Sequence, residues 1–415
     1  MRRLLTALAP ETCSLDFDGA AVPAHPGDTV ASALIAAGEL MTSRSPKYRR
    51  PRGAYCLLGD CGTCLVRVDG EPNVRACLTP VRDGMRVRSQ NSYGDLDPTA
   101  LIDAVFRGGI DHHHMVVYPR VANQVMQGVA RNLTGFGELP DAAPSAPARC
   151  EQHAPAVLIV GAGRAGSAAA SALREAGVDV RVFDRRAGVR VFAAYPHEGV
   201  WAASEAVADA HAASTAAPTL HLVRPRHVIL AVGAHAPTIP VPGNDIPGVV
   251  AAPGLLDLLA RTGRTLAAPV VVIGSGAVAE AHARALSAKL VDPAAVVRIV
   301  GRRRVKAVET SAGRLACRLV ALAPEPAPAF ELAAQAGVAV RWTGAGFAPA
   351  CDADGRATLR RHDHPLGVGE HPADPPWTVW IAGELRGDCS AADAPASGRS
   401  VAAAILRSEA TRVGA

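Results

Sequence analysis

Lysine is nearly absent from this sequence, with 3 residues against 40 arginines in a chain of 415 whose formal net charge is +5. Aromatic side chains are scarce too, at 4%. A nucleic-acid surface needs clustered basic residues interleaved with rings that stack on bases; these arginines are dispersed and the rings few, so no nucleic-acid partner is expected. No apolar run approaches the ~18 residues of a membrane span, because Gly, Pro or charge interrupts the longest ones. The opening MRRLLTALAPET holds an apolar stretch too short for a secretory h-region. Nine cysteines, an odd number with four of them between residues 56 and 77, do not make a disulfide framework. A cytoplasmic protein is expected. The composition, 49% apolar and 20% charged, is that of a globular chain, and at ~150 residues per domain it has room for two or three domains.

Along the chain, SLDFDG and AAVPAH read as a hairpin, after which Asp28 is placed to cap a helix over 29–37 that Gly38 closes. A cysteine-bearing loop follows, and then the alternating strands LVRVDG and MRVRS. Helical periodicity runs from about Ser92 to Leu139, and the breaker-rich ELPDAAPSAPARCEQHAPA reads as a linker. From Ala156 the order is strand, glycine turn, helix, strand. PVVVIGSGAVAEAHARALSA begins a second such unit, predicted to close on VVRIVG. The expected fold class is α/β. Residues 1–95 read as a small mixed module wrapped round its cysteines, 96–154 as a helical connection and linker, and 155–415 as a Rossmann region in which one dinucleotide-binding domain is inserted in another. Its second Rossmann-like unit falls at about 245–345.

Cys56, Cys61, Cys64 and Cys77 have the spacing C-x4-C-x2-C-x12-C. The first three match the plant-type [2Fe–2S] pattern, in which a tight loop aims backbone N–H groups at the cluster sulfurs. Gly53, Gly59 and Gly62 stand where a backbone crowded against a cluster needs glycine. Structural zinc is an alternative, weakened by the single C-x2-C pair; inert buried thiols are another. Cys13, Cys150, Cys317, Cys351 and Cys389 are isolated, and the nucleotide-binding region has no C-x-x-C pair, which argues against a disulfide reductase.

Gly161, Gly163 and Gly166 form GxGxxG after a strand and at the opening of a helix. In that motif the glycines make the turn, admit the pyrophosphate and allow close helix packing. Asp184, at the end of the next strand, is placed to accept from a ribose hydroxyl. A Rossmann turn that binds nothing is the alternative. Two stretches specify FAD by their resemblance to flavoproteins: HVILAVGAHAPTIPVPG (227–243), with Gly233, and VWIAGELRGD (379–388), with Gly383 and an acid, Glu384, at the ribitol position. The second turn, Gly274-x-Gly276-x-x-Ala279, is followed by Arg302, Arg303 and Arg304. These could hold an NADP 2′-phosphate or be a solvated basic turn. His112, His113 and His114 read as surface or helix-contact residues.

SRSPKYRRPRG (43–53), EPNVRAC (71–77), RSQNSYG (88–94) and VPGNDIPGV (241–249) resemble the alpha subunit of heterotetrameric sarcosine oxidase. The cysteines resemble those of relatives in hydrogen cyanide synthase, opine oxidases and dye-linked proline dehydrogenases. The resemblance implies that residues 1–95 are a ferredoxin-like (β-grasp) module and 155–415 a flavoprotein-type Rossmann region with two dinucleotide-binding domains, and that the chain is an electron-transferring FAD and [2Fe–2S] subunit of an amine or amino-acid dehydrogenase or oxidase, of the sarcosine, opine, proline or glycine type. It also implies a D-amino-acid-oxidase-like flavoprotein partner that oxidises the C–N bond. This chain runs from Asp184 to VFAAYPHEGVWAAS through RRAGVR alone, where the family has a longer segment over the flavin. FAD held weakly, FAD shared with a partner, and a bare adenine nucleotide are therefore all open. The alternatives in function are an NAD(P)H-dependent ferredoxin-reductase-type oxidoreductase and a degenerate, non-catalytic subunit.

Overall fold

The computed structural model describes residues 3–6, 13–25, 27–45, 50–92, 119–125, 127, 148–205, 219–344, 346–360 and 376–413. Most of the helical connection and linker, and His112–His114, lie outside the described residues. The helices used below are α1 (Val30–Ala37), α2 (Arg164–Glu175), α3 (Ala252–Thr262), α4 (Gly276–Ala285) and α5 (Ala394–Val413). Among the described residues no helix is long and apolar enough to cross a membrane. The chain forms two units, Met1–Ala143 with Ala236–Glu325 and Pro144–His235 with Pro326–Ala415.

In the first unit, five strands order as Ala20–Ala24, Cys13–Phe17, Met85–Ser89, Leu65–Val68 and Glu71–Arg75. The predicted hairpin is present. It turns on Asp18 and Gly19, at φ 50° and 87°, as the right-handed twist of a two-residue hairpin requires. Cys13–Phe17 lies parallel to Met85–Ser89 and the other pairs are antiparallel. With α1 this is the β-grasp arrangement. The cap of α1 differs from expectation: Thr29, not Asp28, accepts from the Ser32 N–H, and the Ser32 hydroxyl receives the Thr29 N–H in return. Asp28 points instead into the interior, onto Arg264.

The 236–325 part of this unit holds a parallel sheet in the order Val249–Ala251, Leu319–Ala323, Val270–Gly274, Lys289–Val291. The expected second βαβ unit therefore closes on Lys289–Val291. VVRIVG, the strand Val296–Gly301, pairs instead with Val305–Thr310 in an antiparallel sheet. Arg302–Arg304 thus sit in a hairpin turn, not at the end of the strand beside the glycine turn. Lys289–Val291 and Val296–Gly301 are short runs on either side of Asp292-Pro293, and local pattern does not tell which of them pairs with Val270–Gly274. Leu15, Leu34, Val66 and Val87 of the β-grasp share one apolar core with Leu255, Leu258, Val272 and Leu319.

In the second unit, Val180–Phe183, Val157–Val160, His227–Leu230 and Thr378–Ile381 form a parallel sheet. VLIV and HVIL are buried throughout, as strands covered on both faces must be. α2 and α5 cover one face through Leu173, Val401 and Ile405. The other face packs on Trp201, Val223 and Trp377. Trp201 and Val223 belong to a second sheet, ordered Val189–Tyr195, Val200–Glu205, Thr219–Val223, Arg149–His153.

Candidate functional site

The loop from Cys56 to Cys64 is built on positive φ: Leu57 at 59°, Gly59 at 85° and Gly62 at 65°. Such a run of left-handed residues curls the chain so that consecutive amides face inward. The N–H groups of Asp60 and Cys61 donate to Cys56 Sγ at 3.2 and 3.4 Å. Cys64 Sγ lies 3.4 Å from Cys77 Sγ, and Cys61 Sγ 3.2 Å from the Thr63 hydroxyl. The Cys56 thiol is also engaged by Cys61 and Cys77, and these contacts lower its pKa. The same contacts push Cys61 and Cys77 upward. Four thiols compete for protons within one pocket, and amide dipoles stand ready for thiolate charge. That donor set fits a cluster better than it fits inert thiols.

Cys56, Cys64 and Cys77 are buried and Cys61 is exposed. A cavity of about 390 Å³ reaches Cys61 and is bounded by Arg52, Tyr55, Thr63, Asn244 and Pro247 among others. Tyr55 donates to the Pro237 carbonyl at 2.7 Å, and burial pushes its phenol up to about 12, so it remains a neutral donor. The cysteine loop is seated from below by α3. A Cβ on Gly254 would land on the Cys56 carbonyl and crowd Leu57. Gly254→Ala is therefore expected to cost ~1–3 kcal/mol and to lower iron content, read together as a denaturant midpoint and iron per chain.

At the first glycine turn, Gly161 has φ 100° and a Cβ there would strike the Ala231 carbonyl; one on Gly166 would strike the Gly161 carbonyl. Gly163 is different. It is the N-cap of α2, and a Cβ there would meet nothing within 4 Å, which leaves the helix N-terminus open to a phosphate. Asp184 accepts from the Ala162 and Arg186 N–H groups, each at 2.7 Å. Its carboxylate thus ties the glycine turn to the strand end and the short turn Arg185–Ala187. Gly233 turns at φ 78° beside open space. Gly383, at φ 69°, lets Ala165 approach where a Cβ would sit. Glu384 follows it in a single turn, half-buried. These residues fit a dinucleotide.

The second turn fits one less well. Gly274 is crowded by the Ala323 carbonyl, and the place of a Cβ on Gly276 is 3.4 Å from Glu325 Oε1, an anion where a pyrophosphate would come. Neither Glu325 nor the seating of Cys56 by Gly254 could be read from the sequence, because both pair positions distant along the chain.

Residues 11–92 match the family described as the 2Fe-2S iron-sulfur cluster binding domain, and residues 159–231 the NAD(P)-binding Rossmann-like domain. Over 185 residues, 41% of this chain, the sequence is 34% identical to sarcosine oxidase subunit alpha of Rhizobium meliloti; the match spans only 18% of that subunit. Hydrogen cyanide synthase subunit HcnA of Pseudomonas aeruginosa is 39% identical over 82 residues, 20% of this chain and 78% of that protein. Among solved structures, L-proline dehydrogenase from P. horikoshii matches over 99% of this chain and 76% of its own, at a TM-score of 0.66 and 17% identity. At that identity the likeness is one of fold.

Proposed function

The chain belongs to the [2Fe–2S]-bearing branch of the oxidoreductase family that holds sarcosine oxidase subunit alpha and HcnA, and from this premise we propose that it is the electron-transferring subunit of an amine or amino-acid dehydrogenase. One observation carries the proposal. A single chain combines a four-thiol loop lined with inward amides and a glycine turn left open at Gly163. Cys56, Cys61, Cys64 and Cys77 would hold the cluster, and Gly161, Gly163, Gly166 and Asp184 the dinucleotide, with Gly233, Gly383 and Glu384 toward the flavin end. A flavin exchanges one or two electrons and a [2Fe–2S] cluster one, so the pair converts a hydride equivalent into single electrons.

The chain's own residues set the conditions for that exchange. The amides of Asp60 and Cys61 stabilise negative charge on sulfur, and burial of three ligands keeps water away. Exposure of Cys61 gives an acceptor its shortest approach. The substrate class rests on the relatives, whose names are those of enzymes acting on sarcosine and L-proline. Among the described residues no side chain beside the glycine turn is placed as a general base, and the resemblance to subunits of larger enzymes supports assigning amine oxidation to a partner subunit of the D-amino-acid-oxidase type. A self-contained NAD(P)H-dependent reductase is disfavoured by Glu325 at the second turn and by the displacement of Arg302–Arg304 into a hairpin.

The test is the composition of anaerobically purified protein. About two iron and two sulfide per chain, with one FAD, are expected, and NADPH alone should leave the visible spectrum unchanged. Cluster without flavin would reduce the second unit to an adenine-nucleotide or empty domain. Absence of both groups would overturn the reading.

A further inference from the structure

The second unit carries a separate constellation on its mixed sheet. The register sets His221 opposite Glu151, and strand alternation puts His153, two residues beyond Glu151, on the same face. Ala203 lies opposite His221 on the other side, so Glu205 shares that face as well. His153 Nε2 and His221 Nδ1 are 3.0 Å apart, and Glu151 Oε2 is 3.8 and 3.6 Å from them. Zinc bonds of ~2.0–2.2 Å in a tetrahedron space neighbouring donors ~3.3–3.5 Å apart, which is the size of this triangle. We propose that Glu151, His153 and His221 form a divalent-metal site of the zinc class, with its fourth position open to water.

The surroundings support a metal more than a simple polar network. His221 is 4% exposed. Its Nε2 is buried without a hydrogen-bond partner among the described residues, yet it faces Glu205 Oε2 at 3.5 Å. An imidazole bound to metal through one nitrogen donates its other N–H to a carboxylate, which fixes the tautomer, and Glu205 is the carboxylate within reach of that role. Arg149 engages Glu151 Oε1 at 3.2 Å, leaving Oε2 turned to the histidines. Arg181 Nη2 lies 3.2 Å from both ring nitrogens of His153. It is the cation that an ion would displace. Two imidazoles and one carboxylate favour a first-row transition ion or zinc over calcium or magnesium. Bound there, the ion would staple the edge strand Arg149–His153 to Thr219–Val223.

The experiment uses the full chain with its cluster loaded, stripped of adventitious metal by a chelator and titrated with zinc sulfate. Zinc and iron per chain are read by mass spectrometry after desalting. One zinc per chain is expected in the wild type and in Cys150→Ser, whose thiol leaves from the opposite face of the strand. It should be lost in Glu151→Gln and His153→Ala at unchanged iron and unchanged circular dichroism. Glu205→Gln should weaken binding by ~10-fold or more, and Arg181→Gln should tighten it. No zinc on the wild type, equal zinc on Glu151→Gln, or loss of zinc in Cys150→Ser would each overturn the site. Because Glu151→Gln is nearly isosteric, its result does not depend on a variant that fails to fold.

Discussion

Arg264→Ala is expected to lower the stability of the first unit by ~3–5 kcal/mol, read as a fall in denaturant midpoint at constant slope. Arg264 and Asp28 are both fully buried, 236 residues apart in sequence. Arg264 Nε and Nη2 donate to the two Asp28 oxygens at 3.2 and 2.5 Å, and Nη1 donates to the Thr6 carbonyl at 2.7 Å. Asp28 also accepts from the His25 N–H at 2.9 Å and the Ser32 hydroxyl at 2.8 Å. Every lone pair aimed inward is met, so the pair is costly to break even if it adds little net stability over an apolar pair of the same shape. Truncating the arginine strands a carboxylate in the core. Adding Asp28→Asn to Arg264→Ala removes that charge and should recover the larger part of the loss. Burial alone would raise the Asp28 pKa, but the hydrogen bonds from Arg264, His25 and Ser32 and the arginine charge more than reverse it. The carboxyl is thus held below its ordinary value of ~3.9, and its stabilisation is present above that value and fades as pH falls through the lower, folded one. The gap between wild type and Arg264→Ala should therefore be widest near neutrality and narrow in acid. A gap that grows on acidification would contradict the assignment.

What the sequence made legible was local. The hairpin at Asp18 and Gly19, the end of α1 at Gly38, the cysteine spacing and the first GxGxxG each depend on residues a few positions apart, where turn and cap chemistry decide the outcome. What it hid was pairing across long separations. Asp28 sat where a cap belongs, and only the position of Arg264 explains why Thr29 takes that role. VVRIVG and KLV are both short apolar runs, and nothing local says which joins the parallel sheet beside Val270–Gly274. The arginine triplet was misplaced with it. Glu151, His153 and His221 were equally invisible, since 68 residues separate the two histidines and only strand register brings them face to face. Glu-x-His on a strand is a signal, but a weak one until its cross-strand neighbour is known.

The two glycines of the first turn separate binding from folding. Gly163→Val is expected to abolish nucleotide retention while changing stability by less than ~0.5 kcal/mol. At φ −68° and ψ −168° a branched residue is unstrained, and its Cβ would meet nothing within 4 Å. The side chain would start from the open space at the α2 N-terminus, where a pyrophosphate would take the unsatisfied N–H groups. Gly166→Ala is the counterpart. Its Cβ would run into the Gly161 carbonyl, forcing helix and strand apart, so a loss of ~1–3 kcal/mol is expected even with no ligand present. Flavin and adenine released from each purified variant, measured beside its thermal midpoint, distinguishes the two. If Gly163→Val keeps stoichiometric nucleotide, the phosphate does not sit on this helix and the dinucleotide assignment fails. If Gly163→Val loses nucleotide with its midpoint intact while Gly166→Ala loses stability, the open N-terminus of α2 is the binding element, and the other two glycines of the motif serve the packing that holds it open.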